Sequence, residues 1–214
     1  MANKDIIWLA SWPRSGNTLL RTILWQCFDL RSTSYYQNDV GQNKKLAGYI
    51  GHLEKSNEAR LMLGDFPLMK THELSTDDNK AIYVVRNGKE ACISMFQFYK
   101  KALSLKKIIE GRHNFGTWSD HLKSWHPWDR KNTLLLKYED MLSDLPGTLN
   151  KISAFLGVKI LNEELPPREV IAEVGGRWVK DASLTKPDFS EAISRRFFEI
   201  NGEMLKKMGY DLNN

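Results

Sequence analysis

Apolar residues fall into short runs and periodic stripes that take turns along the chain. Ile6-Ile7-Trp8-Leu9-Ala10 is an unbroken apolar run, as in a strand buried on both faces of a parallel sheet. Beyond a polar loop, Leu19, Leu20, Ile23, Leu24, Cys27 and Phe28 recur at steps of three and four, which predicts a helix with one strongly apolar face. Residues 29 to 66 are polar and mixed, with a helix expected around 42 to 59. A run ending in Leu68-Met69-Lys70-Thr71-His72 reads as a second strand, and Ala81-Ile82-Tyr83-Val84-Val85 as a third that stops at Arg86-Asn87-Gly88. Asn87, with Glu90 three residues on, has the pattern of an N-cap and its capping partner for a helix over 88–101. Thr133 to Tyr138 is a fourth strand, and amphipathic segments near 116–126, 144–156 and 190–208 are helices. Strands that alternate with helices, without repeat or linker, predict an α/β fold: one domain over residues 1–214, built on a Rossmann-like parallel sheet with helices on both faces.

The loop between the first strand and its helix changes this picture most. A glycine-containing turn there aims backbone N–H groups and the positive end of the helix at one spot, which makes an anion site, and Arg14 and Thr18 add side-chain donors. Gly16-Asn17-Thr18 stands where a nucleotide triphosphatase carries Gly-Lys-Ser/Thr, so the lysine that reaches the outer phosphates is missing. No Asp ends an apolar strand where it would hold magnesium, and a single anionic group fits the loop better than a metal-bound triphosphate. Strand alternation puts Lys70 and His72 on one face at the end of their run, where catalytic groups collect in open α/β sheets. Arg86 closes a strand, and Ser94 lies about two helical turns beyond Asn87 on the same side, so both can reach one anion. Taken alone, these residues also suit packing and surface roles.

Composition narrows the classes. The chain is 42% hydrophobic and 27% charged, and no apolar run approaches the roughly 20 residues that cross a bilayer. The first strand begins so early that no signal segment is expected ahead of it. Cys27 and Cys92 both fall in helical patterns and read as buried thiols of a reduced, cytoplasmic compartment. Lys and Arg exceed Asp and Glu by 31 to 26. The excess would suit nucleic acid, but no basic block interleaved with aromatics accompanies it, and a site for a small polyanion accounts for it equally well.

Pro13-Arg14-Ser15-Gly16-Asn17-Thr18-Leu19 resembles the 5′-phosphosulfate loop, usually Pro-Lys-Ser-Gly-Thr-Thr-Trp, of the sulfotransferases that use PAPS (3′-phosphoadenosine 5′-phosphosulfate). "MKTHE", "YVVRNGKEACIS", "WSDHLKSW", "KYEDM" and "MGYD" are similar to further segments of that family in the expected order, so the similarity covers most of residues 5 to 210. The resemblance implies a P-loop-like fold, with Arg14, Ser15, Gly16, Asn17, Thr18 and Leu19 at the phosphosulfate, and Arg86 with Ser94 at the 3′-phosphate. It places Tyr138 in the nucleotide pocket. It also implies His72 as general base, with Lys70 and Arg14 stabilising developing charge; Glu73 is the alternative base. PAPS would be co-substrate and PAP product, without a metal, and the acceptor a small molecule with a hydroxyl or amine, met by residues 29 to 66. A homodimer is left open.

Three departures from the family pattern bear on the expectation. Arg14 spreads over a planar fork the charge that a lysine concentrates, Leu19 replaces a tryptophan associated with adenine packing, and "EVGGRWVKDASLT" lacks the Arg-Lys-Gly element of the nucleotide lid. Trp178, Arg177 and Lys180 are candidate replacements, and weaker or salt-sensitive PAPS binding is expected. Two rival readings remain at this point: a P-loop kinase, against which Asn17 argues, and a PAP-binding protein without turnover, against which Lys70 and His72 argue.

Overall fold

A computed structural model describes residues 6–41, 43–54, 68–99, 102–167, 169–170, 173 and 189–211. The apolar runs become strands β1 (Ile7–Ala10), β3 (Leu68–Thr71), β4 (Ala81–Val85) and β5 (Thr133–Lys137), joined by a two-residue edge strand, β2 (Thr33–Ser34). All pairings are parallel, in the order β2-β3-β1-β4-β5, with Trp8 opposite Met69 on one side and Ala81 on the other. The described helices are α1 (Asn17–Phe28), α2 (Lys44–Tyr49), α3 (Gly88–Phe98), α4 (Leu105–Ile109), α5 (Trp118–Trp125), α6 (Tyr138–Ser143), α7 (Leu145–Leu156) and α8 (Glu191–Lys207).

Alternation along the wholly buried β4 divides the core in two. Ala81, Tyr83 and Val85 point into a layer with Trp118, Trp125 and Phe197, so α3, α4, α5 and α8 cover that face. Ile82 and Val84 point into the other, against Leu20, Ile23 and Leu24 of α1 and Ile152 of α7. Local signals place the helix starts. The Asn87 carboxamide oxygen accepts from the N–H of Lys89 at 3.0 Å and of Glu90 at 3.3 Å, while the Glu90 carboxylate stands 3.6 Å from Arg86. Thr117 and Asp120 form a reciprocal capping box on α5.

The helix expected over 42–59 is only Lys44–Tyr49 among the described residues, and 55–59 lie outside them. The fourth strand stops at Lys137, because Tyr138 already turns into α6. β2, α4 and α6 went unpredicted: pieces of two to six residues are too short to display a period. The topology sets the site. The sheet winds outward in both directions from β1, which opens a crevice at the carboxyl ends of β1, β3 and β4.

Candidate active site

Each strand delivers a segment from its carboxyl end to one cavity of about 350 Å³: the loop from Pro13 after β1, Tyr36 and Asp39 after β2, His72 after β3, Arg86 after β4 and Tyr138 after β5. Arg14, Gly16, Asn17, Thr18, Leu19, Lys70 and Ser94 complete the set of expected site residues that line it. Ser15 is the exception: it is buried, and its hydroxyl has no hydrogen-bond partner among the described residues.

The loop is shaped by two left-handed residues, Arg14 at φ 67° and Gly16 at φ 112°. A Cβ on Gly16 would come within 2.5 Å of Tyr138 Cδ2, so only glycine lets the ring close over the turn. Gly16 caps α1 without a side-chain hydrogen bond, and no acidic residue stands in the first helical turn. The leading N–H groups of α1 and its positive end therefore meet no competing carboxylate. Asn17 explains the missing lysine. Its Nδ2 donates to Leu9 O at 2.8 Å and to Ser11 Oγ at 3.4 Å, so the amide braces the loop against β1.

Three further cations face this anion-ready turn. Arg14 Nε donates to Ser94 Oγ at 3.2 Å, and its guanidinium lies 4.7 Å from the centre of the Phe98 ring. Arg86 donates from Nη1 to the Arg14 carbonyl at 3.2 Å and stacks 4.6 Å from the Tyr138 ring centre. Arg86, Ser94 and Tyr138 thus form one connected wall around Arg14. Lys70, almost fully buried, contacts Asp39, whose other carboxylate oxygen accepts from Arg21 at 2.7 Å. Burial lowers the Lys70 ammonium from its ordinary value, and Asp39 opposes the shift. Burial would raise the Asp39 carboxyl, but Lys70 and Arg21 together hold it below its usual range.

His72 is held on every side. Its Nδ1 donates to the Ser11 carbonyl at 2.7 Å, which leaves Nε2 with the lone pair. Its backbone N–H donates to the Tyr36 hydroxyl at 2.8 Å, which donates in turn to Glu73 at 2.9 Å. Its carbonyl accepts from His121 Nε2 at 3.1 Å, and His121 Nδ1 accepts from the Tyr83 hydroxyl at 2.7 Å. The Tyr36 ring stacks on the imidazole at 5.9 Å, with Phe115 edge-on at 5.9 Å. Burial first, and the Lys70 cation second, press His72 well below the ordinary histidine range, so it is neutral at pH 7. Glu73 accepts from Tyr36 and does not line the cavity.

This donor set suits a polyanion. It combines a helix terminus, two arginines and a lysine with one carboxylate already shared between cations. The Sulfotransferase domain family model matches residues 4–174. The chain belongs to the sulfotransferase domain family. It is 33% identical to sulfotransferase 2A1 of Rattus norvegicus over 181 residues, 76% of this chain and 63% of the relative. It is 28% identical to sulfotransferase 2A1 of Homo sapiens over 179 residues, 76% and 62% of the two chains. The match therefore spans less than two thirds of either relative. Among solved structures, a mouse sulfotransferase, SULT7A1, complexed with PAP superposes with a TM-score of 0.61 at 21% identity, covering 96% of this chain and 86% of that one. Retinol dehydratase in a complex with retinol and PAP gives 0.63 at 20%, covering 96% and 82%. These likenesses establish the P-loop-like fold.

In this sulfotransferase-family chain, Asp39, Tyr36 and His121 are site or supporting residues that the sequence reading did not name. Asp39 and Tyr36 come from the polar stretch 29–66, where the acceptor surface was expected, but no spacing distinguishes them there. Trp178, Arg177 and Lys180 lie outside the described residues. Among the described residues, no group of three or more His, Cys, Asp or Glu is placed to hold a metal ion, and no helix is long and apolar enough to cross a membrane.

Proposed function

We propose that the chain is a cytoplasmic sulfotransferase that moves the sulfuryl group of PAPS to a hydroxyl or amine of a small-molecule acceptor. The observation that carries this reading is the tautomer of His72. With Nδ1–H committed to the Ser11 carbonyl, and the ring neutral through burial, Nε2 is a base beside Lys70 and the cationic loop. PAPS, when bound, supplies an activated sulfuryl group and a good leaving group.

The chain's own residues then divide the work. The first N–H groups of α1, with Arg14 and Thr18, would hold the phosphosulfate end, and Arg86 and Ser94 the 3′-phosphate. Tyr138 would close over the loop from the nucleotide side. His72 Nε2 would receive the acceptor proton. Lys70 and Arg14 would stand where negative charge develops, with Arg14 presenting a fork in place of the family's lysine. Tyr36, Phe115 and Phe98 would wall the acceptor end against water. The bound PAP of the mouse enzyme and of retinol dehydratase supports the nucleotide assignment. The kinase reading loses its main requirement, because the residue at the lysine position is spent on Leu9.

Thermal unfolding with PAP, with ADP and with ATP plus magnesium tests the nucleotide site. PAP is expected to raise Tm most, through linkage to the 3′-phosphate. Equal shifts with PAP and ADP would remove the role given to Arg86 and Ser94. Transfer of label from PAPS across a panel of phenols, alcohols and amines tests the reaction itself.

A further inference from the structure

Asp39 has no counterpart among the motifs that carry the family resemblance, yet it lines the cavity with a side chain only 6% exposed. One carboxylate oxygen contacts Lys70 Nζ and the other accepts from Arg21 Nη1 at 2.7 Å. Arg21 is itself fixed. Its Nε donates to Ser32 Oγ at 2.8 Å and Nη2 to His52 Nδ1 at 2.7 Å, so the fully buried guanidinium anchors the carboxylate from behind. We propose that Asp39 is a positioning residue for the transfer step, acting through Lys70: its carboxylate, held by Arg21, fixes the lysine as a cation beside His72.

The electrostatics around Lys70 support this. The groups that face it are Asp39 and Tyr36 from the segment after β2, Arg21 from α1, Arg14 from the loop, and His72 beyond its own strand. Among these charged neighbours, Asp39 alone favours the charged ammonium; Arg21 and Arg14 oppose it, as does burial. Without the carboxylate, Lys70 loses the contact that favours its charged form, while burial, Arg21 and Arg14 still oppose that charge. The Lys70 charge in turn helps keep His72 neutral. One carboxylate therefore secures both the cation and, through it, the base. The inference rests on the sulfuryl-transfer reading for its consequence, but not for the contact itself.

The test is an NMR titration of the lysine Nζ signals in the full chain, with the Lys70 signal assigned by its loss in Lys70→Arg. In Asp39→Asn the Lys70 midpoint is expected to fall by about one pH unit or more, the size of shift that an opposite charge at contact distance produces. Single-turnover transfer at saturating PAPS is then followed against pH, and its alkaline limb is expected to move acid-ward by the same interval in Asp39→Asn. Asp39→Glu is expected to restore much of the limb. Removing the carboxylate leaves Arg21 buried and unpaired. If Asp39→Asn fails to fold, the pair Arg21→Met with Asp39→Asn is titrated against Arg21→Met alone, so that the loss of the Arg21 charge, which itself opposes the Lys70 cation, is common to both and no orphaned charge remains. An unchanged Lys70 midpoint overturns the proposal, as does a lowered midpoint that the rate profile does not follow. A wild-type chain that neither binds PAP nor transfers sulfuryl counts against the sulfotransferase reading, and the titration still decides the contact.

Discussion

Replacing Gly16 by alanine strains the site in two separable ways. At φ 112° an L-residue occupies a backbone region it rarely adopts, which costs about 1 to 3 kcal/mol. The added Cβ also falls 2.5 Å from Tyr138 Cδ2, and since that atom belongs to a side chain, the ring must rotate away. Arg86 stacks on the same ring at 4.6 Å, so the displacement passes to the proposed 3′-phosphate site. For a chain of this size each kcal/mol shifts Tm by about 2 to 4 °C, so Gly16→Ala is expected to melt roughly 2 to 12 °C below wild type. Its affinity for PAP is expected to fall by about tenfold or more, the loss of one charge-assisted contact. Calorimetric melting and isothermal titration with PAP on one preparation measure both. In a Tyr138→Ala background the added methyl meets no ring, so Gly16→Ala should there cost only the backbone strain. A Gly16→Ala chain that melts within about 1 °C of wild type and keeps its PAP affinity refutes the assigned turn geometry.

Other perturbations probe the remaining parts of the site. Arg86→Ala removes a guanidinium shared by the Arg14 carbonyl, the Tyr138 ring and the proposed 3′-phosphate, and titration with PAP should show a loss of about tenfold to a hundredfold. His72→Ala should keep PAP affinity while single-turnover transfer falls by about 10² to 10⁴, and near-wild-type transfer would move the proton-accepting role to another group. Acid should destabilise the fold. Burial holds His121 at about 3 and His72 well below the ordinary histidine range, so both stay neutral when folded but take up protons when unfolded below about pH 6.5. The unfolded state then binds more protons, so stability is present in full above that pH and is lost as pH falls toward about 3. Urea midpoints should drop between pH 7.5 and 5, with a shallower slope in His121→Phe; midpoints flat with pH would contradict neutral burial.

Those parts of the fold were legible whose residues repeat. Four strands and the helices α1, α3, α5, α7 and α8 show two-sided apolar runs or three-four stripes long enough to display a period, and their boundaries differ from the reading by a few residues. β2 was not legible. Thr33 and Ser34 join the sheet because β3 offers its free edge to Thr33 opposite Met69, a tertiary circumstance that two polar residues do not announce. The site divides along the same line. Arg14, Gly16, Lys70, His72, Arg86 and Ser94 sit at fixed offsets from predicted strand ends, so their convergence in the crevice follows from topology. Asp39 meets Lys70 across a polar segment without period, and His121 reaches the His72 carbonyl from a helix on one face of the sheet. Such contacts depend on how loops and layers dock, which the local pattern does not encode.

The missing lysine at position 17 links the loop to the chemistry more closely than its absence suggests. A lysine there would need an outer phosphate to justify burying an ammonium at a position only 5% exposed. An amide carries no charge and finds neutral partners. Asn17 Nδ2 donates to Leu9 O at the end of β1 and more weakly to Ser11 Oγ. Ser11 is the residue whose carbonyl takes the His72 Nδ1 proton at 2.7 Å, and its hydroxyl lies 3.3 Å from the same nitrogen. Asn17 thus braces the short segment that fixes the histidine tautomer, and the tautomer decides whether Nε2 is a base. The exchange of lysine for asparagine does two things at once. It leaves out the contact that a triphosphate requires, and it places an amide that braces the segment holding His72 Nδ1, so that Nε2 is free for the proposed role of proton acceptor in sulfuryl transfer.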